Sequence, residues 1–243
     1  MTTSTHNTLD LEQRQYGVAA TMRSALKGAA LSTLTAVGRA TAGREIARYL
    51  RETRNKKINV GAQTNRISGW LNVDVLTFPG VTFMDATKRW PLPDNTFEAL
   101  LCEHMIEHVS KAKGEVLLRE AFRTMAPGAA IRLVTPNMLS FARIALDPDC
   151  ADAETYLRFL RYRHPNVTAY EAVNMIYYGY GHKHIYSPDE LAGMMSQCGF
   201  VEIKETQPGS PIDPVFENAE GHPRLVGVEP NAIEAFAMEA QKP

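Results

Sequence analysis

Short apolar runs separated by polar turns begin near residue 57, and they predict a series of buried strands. The runs with this character are Ile58–Val60, Leu71–Val75, Val81–Met84, Phe97–Cys102, Ala129–Val134, Val201–Thr206 and Ala235–Glu239. Between the later runs, apolar residues recur at the three- and four-residue spacing of amphipathic helices. Strands that alternate with helices are typical of an α/β fold whose sheet is mostly parallel.

Two of the predicted helices have ends that the sequence marks clearly. The first runs from Lys111 to Met125 and stops before Pro127-Gly128, a pair that favours a helix stop followed by a turn. The second begins at Ser187-Pro188-Asp189-Glu190, where a serine cap, a proline in the first turn and a nearby glutamate favour initiation. We expect this second helix to reach Gln197.

Residues 1–56 are predicted to form a helical extension ahead of the strands, and Gly38 and Gly43 predict a break into two helices. The first 57 residues carry ten lysines and arginines against four acidic residues. Such a basic arm can contact a membrane surface or another anionic partner. A solvated helix face or an oligomer contact is the simpler interpretation.

The remaining residues, 57–243, are predicted to form one domain. The chain has 243 residues, of which 44% are hydrophobic, and this is enough for one sizeable core. Residues 138–186 have a mostly helical pattern and are too many for a plain connection. They therefore predict a helical lid or insertion that contributes to the substrate site.

Composition argues against several functional classes. The formal net charge of −1 gives no support to nucleic-acid binding. The cysteines are three in number and widely spaced, without a C-x-x-C pair, which argues against a disulfide framework or a zinc knot. The N-terminus lacks the apolar core of a signal peptide, and no apolar run approaches the length of a membrane span. We therefore predict a cytoplasmic protein.

Polar residues follow the predicted strands at the ends where α/β sheets bind their ligands. They are Gly61–Asn65, Asp74, Asp85, Glu103–His108 and Thr135–Asn137. A glycine permits a tight turn and a close approach to a ligand. A carboxylate can accept hydrogen bonds from ribose hydroxyls or from an adenine amine. Each aspartate alone is more simply explained as a loop cap, but together, at consecutive strand ends, they favour a binding site.

The first connection of the sheet is unusually short. Only nine residues, Gly61 to Gly69, separate the first two strands, whereas a helical crossover normally needs at least ten to twelve. The first helix is therefore one turn long or missing, and we do not expect a helix N-terminus directed at the ligand here.

Four segments resemble motifs of the class I S-adenosylmethionine-dependent methyltransferases, in the order and spacing of that family. They are INVGAQTNRISGWLNVDV, WPLPDNTFEALLCEHMIEHV, LLREAFRTMAPGAAIRLVTPN and GHKHIYSPDELAGMMSQCGF. Within the class, the chain is similar to small bacterial methyltransferases associated with polysaccharide or secondary-metabolite biosynthesis. The resemblance covers about residues 57–206. It implies a Rossmann-like, seven-stranded, mostly parallel sheet whose last strand is antiparallel.

The resemblance also implies a set of cofactor-binding residues, which are Gly61, Ala62, Gln63, Asp74, Asp85 and Glu103. Gly61 and its neighbours would wrap the methionine part of S-adenosylmethionine, Asp74 would hold the ribose, and Asp85 would contact the adenine. One departure concerns the first loop, where the family's Gly-Cys-Gly has become Gly61-Ala62-Gln63. Gln63 either hydrogen-bonds the cofactor from a widened loop or blocks the pocket.

Residues 103–108, with the sequence EHMIEH, contain the first candidate catalytic groups. Glu103 and His104 would face the cofactor and the incoming substrate, and His104 is a candidate general base. His104 and His108 also have the i, i+4 spacing of metal ligands, but the sequence shows no third ligand, so no metal is predicted. Structural hydrogen bonding is the remaining interpretation of these histidines.

Residues 177–186, with the sequence YYGYGHKHIY, form a second cluster after the predicted lid. Aromatic rings suit stacking on a sugar or another ring, and either His182 or His184 can act as a base. Tyrosine and glycine also mix in many ordinary loops, so direct substrate contact is one of two interpretations. We take His182 as the third catalytic candidate, after His104 and Glu103.

The sequence thus predicts methyl transfer from S-adenosylmethionine to a hydroxyl, or an amine, of a small-molecule or glycan-precursor substrate. Two alternatives remain open. The protein can be a methyltransferase-like scaffold whose altered first loop no longer holds the cofactor. It can also be an enzyme that uses the same cofactor for a reaction other than methyl transfer.

Overall fold

The computed structural model describes residues 32–243, and its strands form a single sheet. The strands are β1 (Lys57–Val60), β2 (Leu71–Asp74), β3 (Thr82–Phe83), β4 (Phe97–Glu103), β5 (Met125–Pro136), β6 (Val201–Thr206) and β7 (Ala235–Gln241). Their order across the sheet is β3-β2-β1-β4-β5-β7-β6. The strand β7 is antiparallel to both of its neighbours, and the other pairs are parallel. The predicted seven-stranded sheet with an antiparallel last strand is confirmed.

Helices flank this sheet before, between and after its strands. They are α1 (described over residues 32–52), α2 (Lys111–Thr124), α3 (Met138–Leu146), α4 (Ala151–Arg161), α5 (Ala169–Asn174), α6 (Pro188–Gln197), α7 (Pro223–Val226) and α8 (Val228–Glu234). A π-helical turn, Met175–Gly179, follows α5 directly. Among the helices of residues 32–243, none combines the length and the apolar character that a bilayer span requires.

Two local predictions hold in the structure because short-range chemistry decides them. The Ser187 side chain caps α6 by accepting a hydrogen bond from the Glu190 backbone N–H at 3.2 Å. Between β1 and β2, residues 61–69 form turns and contain no helix. The short first connection therefore leaves the end of β1 without a helix N-terminus, as its length predicts.

The predicted break in the N-terminal helix is wrong, because α1 continues through both Gly38 and Gly43. At Gly38 the reason for a glycine is packing: an added Cβ would lie 2.4 Å from the Thr77 side chain. The glycine therefore permits a close approach between α1 and the loop after β2. The part of the predicted extension that precedes residue 32 lies outside the described residues.

The start of β5 also differs from the prediction. The strand begins at Met125, directly after α2, instead of at Ala129. Pro127-Gly128 lies inside the strand, where the pairing with β4 shifts register and Gly128 has a φ of 79°. The expected turn is thus a bulge, and the Gly128 N–H donates to the Lys242 carbonyl at 2.7 Å.

The main core lies between the sheet and the helices packed on it, and Ile46 of α1 belongs to it. A separate apolar cluster lies in the helices of residues 138–186, around Phe141, Tyr156 and Leu160, with Ile233 of α8 packed against it. These helices therefore have a small core of their own. Their role as a lid stays a prediction.

A buried arginine joins the sheet to the connection between β6 and β7. Arg132 of β5 is fully buried and donates to Glu239 on β7 at 2.5 Å and to Glu220 at 2.6 Å. It also donates to the Gln207 carbonyl at 3.0 Å. Residues 207–234, which we call the β6–β7 segment, are therefore fixed to the centre of the sheet. This position carries the segment to the carboxyl ends of β1 and β4.

Candidate active site

The first loop after β1 folds tightly over the end of β2. The backbone N–H groups of Gly61 and Ala62 both donate to the Val73 carbonyl, at 2.9 and 3.0 Å. Gly61 has a φ of 76° and Gln63 a φ of 41°, so the chain turns through left-handed conformations at both positions. Such conformations are unfavourable for most residues other than glycine, and they often occur at functional sites.

Gly61 serves packing as well as backbone geometry, and this leads to a prediction. An added Cβ would lie 2.5 Å from the Met105 side chain, whereas Gly69, with a φ of 78°, has free space at the same position. Gly69→Ala should therefore lose only about 1–2 kcal/mol of unfolding free energy, for the left-handed backbone. Gly61→Ala should lose about 1–3 kcal/mol more, because Met105 must move. Chemical denaturation of the two variants measures the difference, and equal losses would contradict the contact with Met105.

Asp74, at the end of β2, holds this loop in place. Its Oδ2 accepts the Gln63 N–H at 3.0 Å, and its Oδ1 accepts the Leu76 N–H at 2.8 Å. The side chain is largely buried. A carboxylate has about four lone-pair sites, so each oxygen can still accept a further hydrogen bond, as a ribose hydroxyl would require. Its role toward a cofactor stays a prediction.

Asp85 binds within its own turn after β3. It accepts hydrogen bonds from the Thr87 N–H and hydroxyl, at 3.0 and 2.7 Å, and forms an ion pair with Lys88 at 2.9 Å. Partial burial opposes ionisation, but the hydrogen bonds from Lys88 and Thr87 hold the pKa of Asp85 below its usual range. These contacts are those of a loop cap, the simpler interpretation, and a contact with adenine stays a prediction.

Glu103, at the end of β4, binds two loops together. Its carboxylate accepts the backbone N–H groups of Gly221 and His222, at 2.7 and 2.9 Å, and the Asn65 side-chain amide at 3.2 Å. Asn65 in turn donates to the Ala219 carbonyl at 2.9 Å. The sequence predicts that Glu103 faces cofactor and substrate. In the structure its carboxylate already fixes the β6–β7 segment against the first loop.

His104 is held in a strained conformation beside a buried carboxylate. Its φ is 46°, and its Nδ1 lies 3.2 Å from Oε1 of Glu107, a fully buried residue whose Oε2 accepts the Thr135 hydroxyl at 3.0 Å. Burial disfavours both charges. The hydrogen bond and the attraction between the pair outweigh it, which raises the pKa of His104 and lowers the pKa of Glu107. His104 Nε2 is buried and has no hydrogen-bond partner among the described residues.

The β6–β7 segment adds a second histidine–carboxylate pair that the sequence analysis missed. The ring of His222 lies 3.9 Å from the ring of His104, with 38° between the planes. His222 Nε2 forms a very short contact with Oε1 of Glu234, whose Oε2 accepts the Tyr156 hydroxyl at 2.9 Å. The one sequence signal is Gly221-His222 before a proline, in a loop rich in glycine and proline. That signal does not indicate which side chains the histidine meets.

His182, the third catalytic candidate, also lies close to Glu107. Its Nδ1 is 2.5 Å from the Ile176 carbonyl, and its ring lies 4.8 Å from that of His108. Potential ligand atoms of Glu107, His108 and His182 lie within 4.8 Å of one another. Burial lowers the pKa of His182. By contrast, His184 forms a hydrogen-bonded pair with Glu190 on α6 at 3.0 Å, so the two histidines of residues 177–186 have different surroundings.

Some of these residues line a cavity of about 200 Å³ at the carboxyl ends of β1 and β4. Its lining consists of Gly61–Asn65 from the first loop, Glu103 and His104 from the end of β4, and Gly221, His222, Arg224 and Leu225 from the β6–β7 segment. Gln63 is exposed and belongs to this lining, and the choice between cofactor binding and a blocked pocket stays open. A larger cavity, of about 680 Å³, is lined by residues between 163 and 179, including Tyr178 and Gly179 of the second predicted cluster.

Comparison with known proteins finds similarity to methyltransferases. Residues 27–133 match the family model described as "Methyltransferase domain". Two curated relatives, demethylmenaquinone methyltransferases of Tropheryma whipplei strains Twist and TW08/27, are 31% identical over 126 residues, 51% of this chain and 48% of theirs. The chain thus spans about half the length of the curated relatives it matches.

Solved structures with a similar fold have low sequence identity to the chain. An S-adenosylmethionine-dependent methyltransferase from Archaeoglobus fulgidus has 16% identity and a TM-score of 0.45, with 85% of this chain and 93% of that chain covered. A phosphoethanolamine N-methyltransferase 2 from Haemonchus contortus, solved with S-adenosyl-L-methionine, has 13% identity and a TM-score of 0.41, with 83% and 52% covered.

Proposed function

We propose that the chain, which matches a methyltransferase-domain model over residues 27–133 and resembles the class I S-adenosylmethionine-dependent methyltransferases, transfers a methyl group from S-adenosylmethionine to a small molecule. A hydroxyl is the preferred acceptor in this proposal, an amine the second choice, and a glycan precursor one candidate substrate. The observation that carries the proposal is the cavity between the first loop and His104. It lies at the carboxyl ends of the strands, where α/β sheets bind ligands.

The residues around this cavity fit the chemical character of the cofactor. Gly61, Ala62 and Gln63 line the cavity and would hold the methionine part. Asp74 and Asp85 are outside this lining, and in the proposal they would hold the ribose and the adenine. The bound cofactor supplies an electrophilic methyl group, so the protein's task is to align the acceptor and exclude water. Glu103 contributes by fixing the β6–β7 segment against the first loop, through the contacts described above.

The small size of the cavity sets a condition on this proposal. A volume of about 200 Å³ is below the roughly 300–1,000 Å³ of usual ligand pockets. Binding of S-adenosylmethionine therefore requires this cavity to widen. The same observation favours the alternative of a methyltransferase-like scaffold that does not bind the cofactor. Calorimetric titration with S-adenosylmethionine separates the two, since absence of binding at millimolar ligand would support the scaffold.

His104 is the residue that we assign to activation of the acceptor. Glu107 holds its Nδ1, so Nε2 is left for a ligand at the cavity. His182 lies near the same buried carboxylate and can contribute from the side of residues 138–186, the predicted lid. An acceptor hydroxyl must lose its proton during methyl transfer, and an imidazole at this position can assist.

Asp74→Ala tests the binding of the cofactor directly. We expect it to weaken S-adenosylmethionine binding by about 1–3 kcal/mol, or roughly 5- to 150-fold in Kd, because hydrogen bonds to a buried polar group are lost. Isothermal titration calorimetry of the wild type and the variant measures the change. Asp149→Ala, an exposed aspartate in the loop before α4, is the matched control and should bind as the wild type does.

Asp74 also holds the first loop, so the test needs a second variant. Asp74→Asn keeps one carbonyl oxygen and nearly the same shape, and thermal unfolding of both variants reports any damage to the fold. Affinity unchanged in both variants would reject the ribose role of Asp74. Weaker binding in both, with the melting temperature of Asp74→Asn near that of the wild type, would support it.

A further inference from the structure

We propose that His104, His222 and Glu234 form a binding site for one divalent transition-metal cation at the wall of the cavity. One potential ligand atom from each of these residues lies within 4.8 Å of the others. Metal bonds to imidazole nitrogen and carboxylate oxygen are about 2.0–2.2 Å long, so a small rotation of these side chains brings all three atoms to one cation.

His104 carries the main observation for this site. Its Nε2 is buried without a hydrogen-bond partner among the described residues, and an unsatisfied buried nitrogen is rare in proteins. Its Nδ1 is bound by the buried Glu107, which in turn is held by Thr135. Metal-ligating histidines have this arrangement, with one nitrogen directed by a carboxylate and the other free for the metal.

Hydrogen bonds also fix the positions of the other two residues. The backbone of His222 is fixed by Glu103 at 2.9 Å, and the Tyr156 hydroxyl holds Oε2 of Glu234 at 2.9 Å. This leaves Oε1 of Glu234 directed toward His222 Nε2. His222 and Glu234 belong to the β6–β7 segment, whereas His104 follows β4, so the site exists only when this segment is closed over the end of β4.

The ligand set and the local charge indicate which cation the site would prefer. Carboxylates adjoin both histidines, with Glu107 3.2 Å from His104 and Glu234 in contact with His222, so the local charge favours a cation. Two imidazoles and one carboxylate suit Zn²⁺, Fe²⁺ or Co²⁺ better than Mg²⁺ or Ca²⁺, which prefer oxygen ligands. Three protein ligands leave at least one position open, as in catalytic metal sites.

Binding of the cation does not depend on methyl transfer. The role of the cation in the reaction, in contrast, would extend the proposed function and rests on that function. A hydroxyl bound at the open position would have a lowered pKa and would lose its proton to water; its oxygen would then take the methyl group, with S-adenosylhomocysteine as the leaving group. His104 would then act on the acceptor through the cation instead of taking the proton itself. This arrangement would also favour oxygen acceptors that can coordinate a metal.

Titration of the chelator-treated full chain with Co²⁺, followed by visible absorption, tests the site. We expect ligand-field bands that saturate at one equivalent, without the strong near-ultraviolet band of a cysteine thiolate ligand. Competition with Zn²⁺ should abolish these bands. His104→Asn, His222→Asn and Glu234→Gln should each remove the saturable bands, and Glu107→Gln should weaken Co²⁺ binding by about 10- to 100-fold, as a loss of ligand orientation does.

His164→Asn is the matched control, since His164 is exposed in the loop after α4 and should leave the spectrum unchanged. Circular dichroism confirms that each variant is folded. Absence of saturable bands in the wild type would overturn the proposal, and so would bands that persist in all three ligand variants. Bands without methyl transfer would leave the cation site standing and reject the proposed function, whereas methyl transfer without bands would do the reverse.

Discussion

Arg132→Ala is expected to lower the free energy of unfolding by about 3–5 kcal/mol, the cost of breaking a buried ion pair. Arg132 is fully buried on β5, and its guanidinium group donates to both Glu220 and Glu239. Removing it leaves two buried carboxylates without their cation. Their remaining donors are backbone N–H groups, of Gly209 to Glu220 and of Ile212 and Asp213 to Glu239.

Chemical denaturation of the variant measures this loss of unfolding free energy. Two further variants provide the comparison. Arg158→Ala breaks an exposed pair with Glu229 at 3.8 Å, so it should cost less than about 1 kcal/mol. Combining Arg132→Met with Glu220→Gln and Glu239→Gln removes the buried charges but keeps acceptor oxygens for the backbone donors. This triple variant should be more stable than Arg132→Ala. A loss in Arg132→Ala no larger than that in Arg158→Ala would refute the account.

The same network connects the stability of the core to the candidate site. Glu220, which Arg132 holds, directly precedes Gly221 and His222, and these two bind Glu103. Gly221 also lies against Asn65, where an added Cβ would be 2.5 Å from the side chain. A defect at Arg132 should therefore displace His222 from His104, although Arg132 does not line the cavity.

The parts of this structure that the sequence predicts are those that short-range chemistry determines. Apolar runs give the strands, Ser187 gives the start of α6, and nine residues are too few for a helix between β1 and β2. The strand ends then bring Asp74 and the first loop together, since the carboxyl ends of parallel strands share one edge. These inferences need no knowledge of distant contacts.

The parts that the sequence does not predict depend on contacts between distant residues. Glu103 looks like a free acid at a strand end, but its backbone partners lie 118 and 119 residues later in the chain. Arg132 looks like an ordinary polar residue in an apolar run, and its carboxylate partners lie 88 and 107 residues away. The sequence EHMIEH shows no third metal ligand for the same reason. His222 and Glu234, which supply further ligand atoms, approach His104 only in the folded chain.

His104→Asn is expected to lower turnover at least about 100-fold while leaving the affinity for S-adenosylmethionine intact, a loss typical of a removed acid–base group or metal ligand. Asparagine matches this position in two ways. Its side-chain amide can take the place of Nδ1 in the hydrogen bond to Glu107, and asparagine tolerates the left-handed backbone that His104 adopts. The substitution therefore removes Nε2 and little else.

His104→Ala provides the contrast, because it also leaves the buried Glu107 carboxylate without its imidazole partner. It should lose turnover as His104→Asn does and lose stability in addition, whereas His164→Ala should change neither. Release of S-adenosylhomocysteine with an acceptor found by screening hydroxylated small molecules measures turnover, and calorimetry measures cofactor affinity. Full turnover in His104→Asn would remove His104 from the reaction, and the closure of the β6–β7 segment over it would then have only a structural purpose.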